Sequence, residues 1–239
     1  MSQKPFVIGL TGNIASGKSV IRNYLANFGA CTIDADLTAQ DSYLPGTPGY
    51  QSILDHFGED LCLADGQINR SKLGRIVFSD PNEMKILEEI VHPYVTQSIA
   101  AQIEKCSRPI LVVEAIKLLE SQVVNQCDQI WTAAADKQVR FERLVENRGH
   151  SENLAWTKIN SQPSQEEKIA RSDTVIWTNG TFEETFQQTI QAISNMGLPL
   201  VRQIEQDSLR MRTIQESEFP TACGLISAGT HQEWTCERI

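Results

Sequence analysis

Short apolar runs alternate along the chain with longer stretches of helical periodicity. Phe6, Val7, Ile8 and Leu10 form a first run that reads as a short buried strand. Val20, Ile21, Tyr24, Leu25 and Phe28 then fall on one helical face, which closes at Gly29 as a C-terminal cap. Cys31-Thr32-Ile33 is a second strand, stopping at Asp34-Ala35-Asp36. A helical insertion follows, with a turn at Asp65-Gly66 and a helix start at Asp80-Pro81. Met84, Leu87 and Val91 repeat at helical spacing, as do Val95, Ile99 and Ile103. His92-Pro93 is expected to separate these two helices, because the residue before proline is pushed out of the α region.

Residues 109–113 are nearly all apolar and predict a central strand closing on Glu114, and residues 129–133 predict another. Asp136 is expected to cap the next helix. Ser164 to Glu167 and Thr181 to Glu184 both fit the capping box S/T-x-x-E. Residues 174–177 are a last strand before the Asn179-Gly180 turn. Phe182, Phe186, Ile190 and Ile193 then stripe a closing helix that ends at Gly197-Leu198-Pro199. Alternating strands and helices predict an α/β fold, a doubly wound parallel sheet of about five strands.

The octapeptide between the first strand and the first helix changes the picture most. Gly12, Asn13, Ile14, Ala15, Ser16, Gly17, Lys18 and Ser19 fit G-x-x-x-x-G-K-[ST], the phosphate-binding P-loop, with Val20 next to it. Strand, loop and helix are the context that pattern needs. The glycines let successive N–H groups curl toward one anion, and the new helix aims its positive end there. Lys18 can reach the β- and γ-phosphates of ATP, and the Ser19 hydroxyl can hold Mg²⁺. A Gly-rich turn that merely starts a helix is the plainer alternative.

Composition narrows the partners. The chain has 239 residues, of which 41% are hydrophobic and 21% charged, an ordinary globular balance. A net charge of −9 argues against nucleic acid or an acidic membrane surface as a partner. An acidic protein that binds a polyphosphate must gather its positive charge locally. Lys137, Arg140, Arg143 and Arg148 form such a cluster, equally readable as a solvated helix face. The cysteines Cys31, Cys62, Cys106, Cys127, Cys223 and Cys236 show no C-x-x-C or zinc spacing. With no secretory signal and no membrane-length apolar run, a cytoplasmic protein with reduced thiols is expected. The oligomeric state stays open between a monomer and a weak homo-oligomer.

In an open α/β sheet the ligand lies beyond the carboxyl ends of the strands. Asp34 and Asp36 follow the second strand, where alternation along an extended segment would put both carboxylates on one side. One could hold a magnesium-bound water, the other accept the proton of an attacking hydroxyl; either could instead be a turn or capping aspartate. Glu114 ends the central strand, as a magnesium-organising acid would, or as a satisfied strand-end carboxylate. Arg140 and Arg143 lie on an amphipathic helix, and arginine forks suit phosphate.

The run GLTGNIASGKS followed by IDAD resembles the dephospho-CoA kinase family, which catalyses the last step of coenzyme A synthesis. The resemblance continues through Asp65-Gly66-Gln67-Ile68-Asn69-Arg70, Val91-His92-Pro93, Arg143-Leu144, Gln162, Ser172-Asp173 and Asn179-Gly180, over about residues 6–195. It implies a P-loop NTPase-type kinase that uses ATP and Mg²⁺ to phosphorylate the ribose 3′-hydroxyl of dephospho-CoA. It also implies a core, a helical CoA-binding insertion at about 37–105 and a lid at about 137–170, all within residues 1–199. Asp36 matches the proposed base of the family's D-A-D. Lys18 and Arg143 would serve catalysis with it; Arg140 and Arg148 would bind ATP. Asp34, Arg70, His92, Pro93 and Lys117 would contact the acceptor, and Ser19, Asp34 and Glu114 the metal. His92 could equally be a helix-end histidine with a structural hydrogen bond.

Two stretches depart from the family pattern. Ala115-Ile116-Lys117-Leu118-Leu119-Glu120 replaces the family's P-L-L-F-E, and the second arginine of its lid pattern falls on Asn147, one place before Arg148. Residues 200–239 extend past the family's usual end, with no role legible. Two other functions compete: a P-loop kinase for nucleosides or nucleotides, and a nucleotide-dependent switch or binding protein. A guanine-specifying N-K-x-D is absent, and the D-x-x-G at Asp55 to Gly58 falls in an apparent helix.

Overall fold

The computed structural model describes residues 4–197. The tail 200–239, with Cys223 and Cys236, and the expected stop at Leu198-Pro199 lie outside the described residues. The chain divides into two compact units, Met1–Ala192 and Ile193–Ile239. Of the second, the described residues finish a helix and its closing turn.

Five strands form one parallel sheet: β1 (Phe6–Thr11), β2 (Cys31–Asp34), β3 (Ile110–Glu114), β4 (Gln129–Ala134) and β5 (Thr174–Trp177). Their spatial order is β2-β3-β1-β4-β5, so the strand entering the P-loop is the middle one. β3 is buried along its whole length, as a strand covered on both faces must be. Its register sets Asp34 directly beside Glu114.

The P-loop feeds α1 (Lys18–Asn27), with Ile21 and Leu25 on its buried face. The helix stops at Gly29, whose φ of 88° and N–H to the Ala26 carbonyl provide the expected C-terminal cap. Between β2 and β3 come α2 (Ala35–Asp41), α3 (Pro48–Phe57), α4 (Arg70–Ser79) and α5 (Pro81–Lys105). Their cores merge with the sheet: Ile53, Leu61, Leu73 and Leu87 join Val7, Ile33, Leu111 and Val113 in one cluster.

α5 corrects the expectation of two helices. It runs unbroken for 25 residues with Pro93 inside it. A proline inside a helix costs about 3 kcal/mol in lost bonding and steric clash. Here Leu87, Val91, Val95, Ile99 and Ile103 form one stripe at constant spacing through the proline, all buried. Each such burial stabilises by about 1.5–3 kcal/mol, so packing outweighs the local preference.

After β4 come α6 (Lys137–Glu142), a π-helical turn (Arg143–Asn147), α7 (Glu152–Asn160) and α8 (Gln165–Ala170). Asp136 does not cap α6 with its side chain; its own N–H instead donates to Asn179 Oδ1 at 2.8 Å. The box at Ser164 is also altered. Ser164 Oγ accepts from Glu166 N–H and meets the Glu166 carboxylate, so Glu166 takes the place expected of Glu167. The Thr181–Glu184 box forms in both directions at the start of α9 (Phe182–Asn195). Among the described residues no helix is long and apolar enough to cross a membrane, and the four described cysteines are free.

Candidate active site

The loop from Gly12 to Lys18 is shaped by backbone that only glycine tolerates in two places. Gly12 has a φ of 147°, and a Cβ there would lie 2.4 Å from the Ala133 carbonyl oxygen. Gly17 has a φ of 86° at the N-terminal boundary of α1 and offers no side-chain cap. The first amides of α1 therefore have no acceptor within the helix and are available to an anion. Buried polar atoms point the same way: Ser16 Oγ and Asn13 Oδ1 have no hydrogen-bond partner.

A cavity of about 610 Å³ opens over this loop. Ala15 to Val20 form its floor, Arg143, Asn147 and Arg148 one wall, and the segment from Thr178 to Thr185 the other. Arg143 is held in place: Nη1 donates to the Ala15 carbonyl at 3.1 Å and to Thr178 Oγ1 at 2.9 Å, and Nη2 donates to the Thr178 carbonyl. The Arg148 side chain bonds to no described residue and carries its cation to the cavity. Both Asn147, where the family's lid pattern has its second arginine, and Arg148 line the cavity. Arg140 does not. It is 2% exposed, lies off the cavity with Nε and Nη1 unpartnered, and has Glu166 and Asp136 as its charged neighbours.

Lys18 joins the cavity to the acids at the strand ends. Its Nζ donates to the carbonyls of Gly12 at 3.0 Å and Asn13 at 3.3 Å. Burial pulls its pKa down to about 8, against the opposing pull of Glu114 and Asp36. Asp34 and Glu114 share one cation, with Arg22 Nη1 3.3 Å from Asp34 and 3.0 Å from Glu114. Burial raises the Glu114 carboxyl, while Lys18 and Arg22 hold it down.

Asp34 and Asp36 do not alternate along an extended segment. Asp34 is the N-cap of α2, accepting Leu37 N–H at 3.0 Å, so Asp36 already lies in the first helical turn. Capping begins the helix at once, because the aspartate satisfies an otherwise orphaned amide. The two carboxylates still interact. Asp36 is exposed, yet desolvation by the surrounding protein raises its pKa, and the charge of Asp34 adds to the rise. Lys18, a hydrogen bond from Ile116 N–H and Lys117 oppose it.

The remaining expected residues gather along α2 and α5. Arg70, at the start of α4, donates to Gln40 Oε1 at 2.5 Å, one turn along α2 from Asp36, and stacks 5.7 Å from the Tyr43 ring centre. His92 is half-buried and Pro93 exposed at mid-α5. Lys117 pairs with Glu88 at 2.5 Å, one turn before His92 on the same helix. Sequence reasoning missed Arg22 and Thr178. Arg22 lies four residues after Lys18, the spacing that puts two cations on one helical face. Thr178 is 3% exposed and donates to the Ser16 carbonyl at 2.9 Å, and nothing local foreshadows that.

Known proteins resemble this chain in sequence and fold. The family model of dephospho-CoA kinase matches residues 6–184. The chain belongs to the dephospho-CoA kinase family. A dephospho-CoA kinase of Thermosynechococcus vestitus is 38% identical over 191 residues, spanning 80% of this chain and 94% of the relative. One from Geobacter metallireducens is 38% identical over 187 residues, spanning 77% and 93%. A solved Thermus thermophilus protein superposes with a TM-score of 0.71 at 27% identity, over 81% of this chain and 98% of its own. A Campylobacter jejuni dephospho-CoA kinase shares the fold, with a TM-score of 0.55 at 22% identity.

Proposed function

We propose that this chain transfers the γ-phosphoryl group of ATP to the ribose 3′-hydroxyl of dephospho-CoA, yielding coenzyme A and ADP. The observation that carries the reading is the position of Lys18. It lies between a P-loop cavity and a group of three carboxylates, in a chain of this family. ATP occupies the cavity, with its phosphates on the amides of the loop and its charge met by Lys18 and Arg148. Arg143, its donors held by Ala15 and Thr178, keeps the lid segment against the P-loop.

In the transfer, the 3′-oxygen forms a bond to the γ-phosphorus while the bond from phosphorus to the β–γ bridging oxygen breaks. Asp36 takes the hydroxyl proton. A carboxyl raised by its surroundings accepts a proton more readily near neutral pH. The residues also suit a magnesium ion carried by the nucleotide. Among the described residues no group of three or more His, Cys, Asp or Glu side chains is arranged to hold a metal alone. An ion borne on phosphates needs only one or two carboxylates, waters and a hydroxyl, and Asp34, Glu114 and Ser19 supply these. The metal, when bound, screens the charge that develops on the phosphates. Arg70 and His92, from the helical insertion at residues 37–105, and Lys117, from the loop after β3, would meet the acceptor.

A panel of acceptors tests the assignment. With ATP and Mg²⁺, dephospho-CoA is expected to give ADP at a higher kcat/KM than adenosine or a nucleoside monophosphate; the reverse preference refutes it. The kinase is further proposed to be complete in residues 1–199. Truncation after residue 199 is expected to leave kcat within about threefold of the full chain, since residues 6–184 carry the family match. An insoluble or inactive truncated protein would show that the tail is part of the working enzyme.

A further inference from the structure

We infer that Lys168 is a positioning residue for phosphoryl transfer, pinning the Ile116 carbonyl so that the loop after β3 holds Asp36 in place. The inference rests on the reading of Asp36 as the base. Lys168 lies on α8 and is 2% exposed, yet its Nζ reaches across to the Ile116 oxygen at 2.6 Å. Thr11 Oγ1 donates to the same oxygen at 3.2 Å. On its other side, the Ile116 N–H faces the Asp36 carboxylate and favours its charged form. Ile116 is thus held through its carbonyl by Lys168 and Thr11 and faces the candidate base with its N–H.

The rest of the segment reinforces that grip. Arg171 Nη2 donates to the Leu119 carbonyl at 2.9 Å, tying the far end of the same loop. Gln162 Oε1 accepts Ile14 N–H at 2.7 Å, Asn13 Nδ2 donates to the Pro163 carbonyl at 3.0 Å, and Gln165 Oε1 accepts Ala135 N–H at 3.0 Å. Residues 162–171 therefore touch the P-loop, the end of β4 and the loop after β3. They brace the site.

A simple surface tie would not need a buried ammonium. Removing a charge from water is costly unless it is paired, and the nearest carboxylate, Glu120, is 4.0 Å away and half-exposed. The charge of Lys168 also acts on both Lys18 and Asp36. It is a second buried cation next to the P-loop lysine. The loop it secures, Ala115 to Glu120, contains no proline, so its backbone is held by side-chain anchors at Ile116 and Leu119.

The test uses the full-length protein and Lys168→Met, which is unbranched, one atom shorter, and lacks the donor. Misplacing a reacting group by about 1 Å can cost about 10²-fold, so kcat is expected to fall about ten- to a hundredfold. KM for ATP is expected to stay within about threefold, because the cavity floor and Arg148 are untouched. Lys168→Gln keeps a donor for the Ile116 carbonyl and is expected to lose less kcat than the Met variant. If Lys168→Met does not fold, the same split between kcat and KM is read on Lys168→Gln. A kcat within twofold of wild type, or a parallel loss of kcat, ATP affinity and thermal stability, would overturn the positioning role. Asp36→Asn, assayed alongside, separates the two ideas. A near-normal kcat there removes the base assignment, while a crippled Asp36→Asn next to a normal Lys168→Met removes only the role of Lys168.

Discussion

Replacement of Lys18 by alanine is expected to lower turnover by about 10²–10³-fold while the protein stays folded. Phosphoryl transfer relies on positioning and on charge that stabilises the transferring group, and removing one such charged or dipolar stabiliser typically costs about 10²–10³-fold. Folding should survive because the ammonium is a burden to the native state. It is 8% exposed, and burial drags its pKa down to about 8. The variant loses two hydrogen bonds to the loop carbonyls but also relieves that desolvation. Steady-state kinetics and a thermal melt check both halves. Near-normal turnover rejects the cavity as the site of chemistry, and a collapsed melt shows that Lys18 is first a structural residue.

Asp36→Asn is expected to lose kcat by about 10²–10⁴-fold with ATP affinity little changed, the range for loss of a general base. The amide keeps the size, but it cannot take a proton. Asp34→Asn makes a sharp comparison. Asparagine is as good an N-cap as aspartate, so α2 should still begin where it does. What Asp34→Asn removes is charge next to Arg22 and Glu114. Excess Mg²⁺ is therefore expected to restore part of the Asp34→Asn activity and none of the Asp36→Asn activity. Measuring kcat for both variants across a magnesium titration checks this. If Asp36→Asn stays within a few-fold of wild type, Asp34 or Glu114 becomes the candidate base.

Features set by local pattern were legible before any coordinates. All five strands, the P-loop, the Gly29 cap and the Thr181 box follow from runs, spacing and turn chemistry that act within a few residues. Errors arose where a local rule met a tertiary contact. Pro93 argues for a break, yet five apolar side chains at constant spacing keep α5 whole. That uniform stripe was in the sequence and outweighs the proline. Asp34 and Asp36 were placed by strand alternation, but capping by Asp34 starts the helix one residue earlier than alternation allows. The cluster around Arg143 was read as one basic face, and the fold splits it. Arg143 is tied to carbonyls, Arg148 reaches the cavity and Arg140 is buried away from it. Arg22, Thr178 and Lys168 went unread because their partners are brought together only by the sheet order. The partners of Thr178 and Lys168 lie 162 and 52 residues away.

The most direct measurement is the identity of the phosphorylated product. The full-length protein, incubated with ATP, Mg²⁺ and dephospho-CoA, is followed by phosphorus NMR and by ADP release. The expected result is one new phosphate monoester on the ribose 3′-oxygen for each ADP formed. Release of ADP with dephospho-CoA left unchanged, or phosphate on any other oxygen, would contradict the assignment of this chain as the kinase that completes coenzyme A.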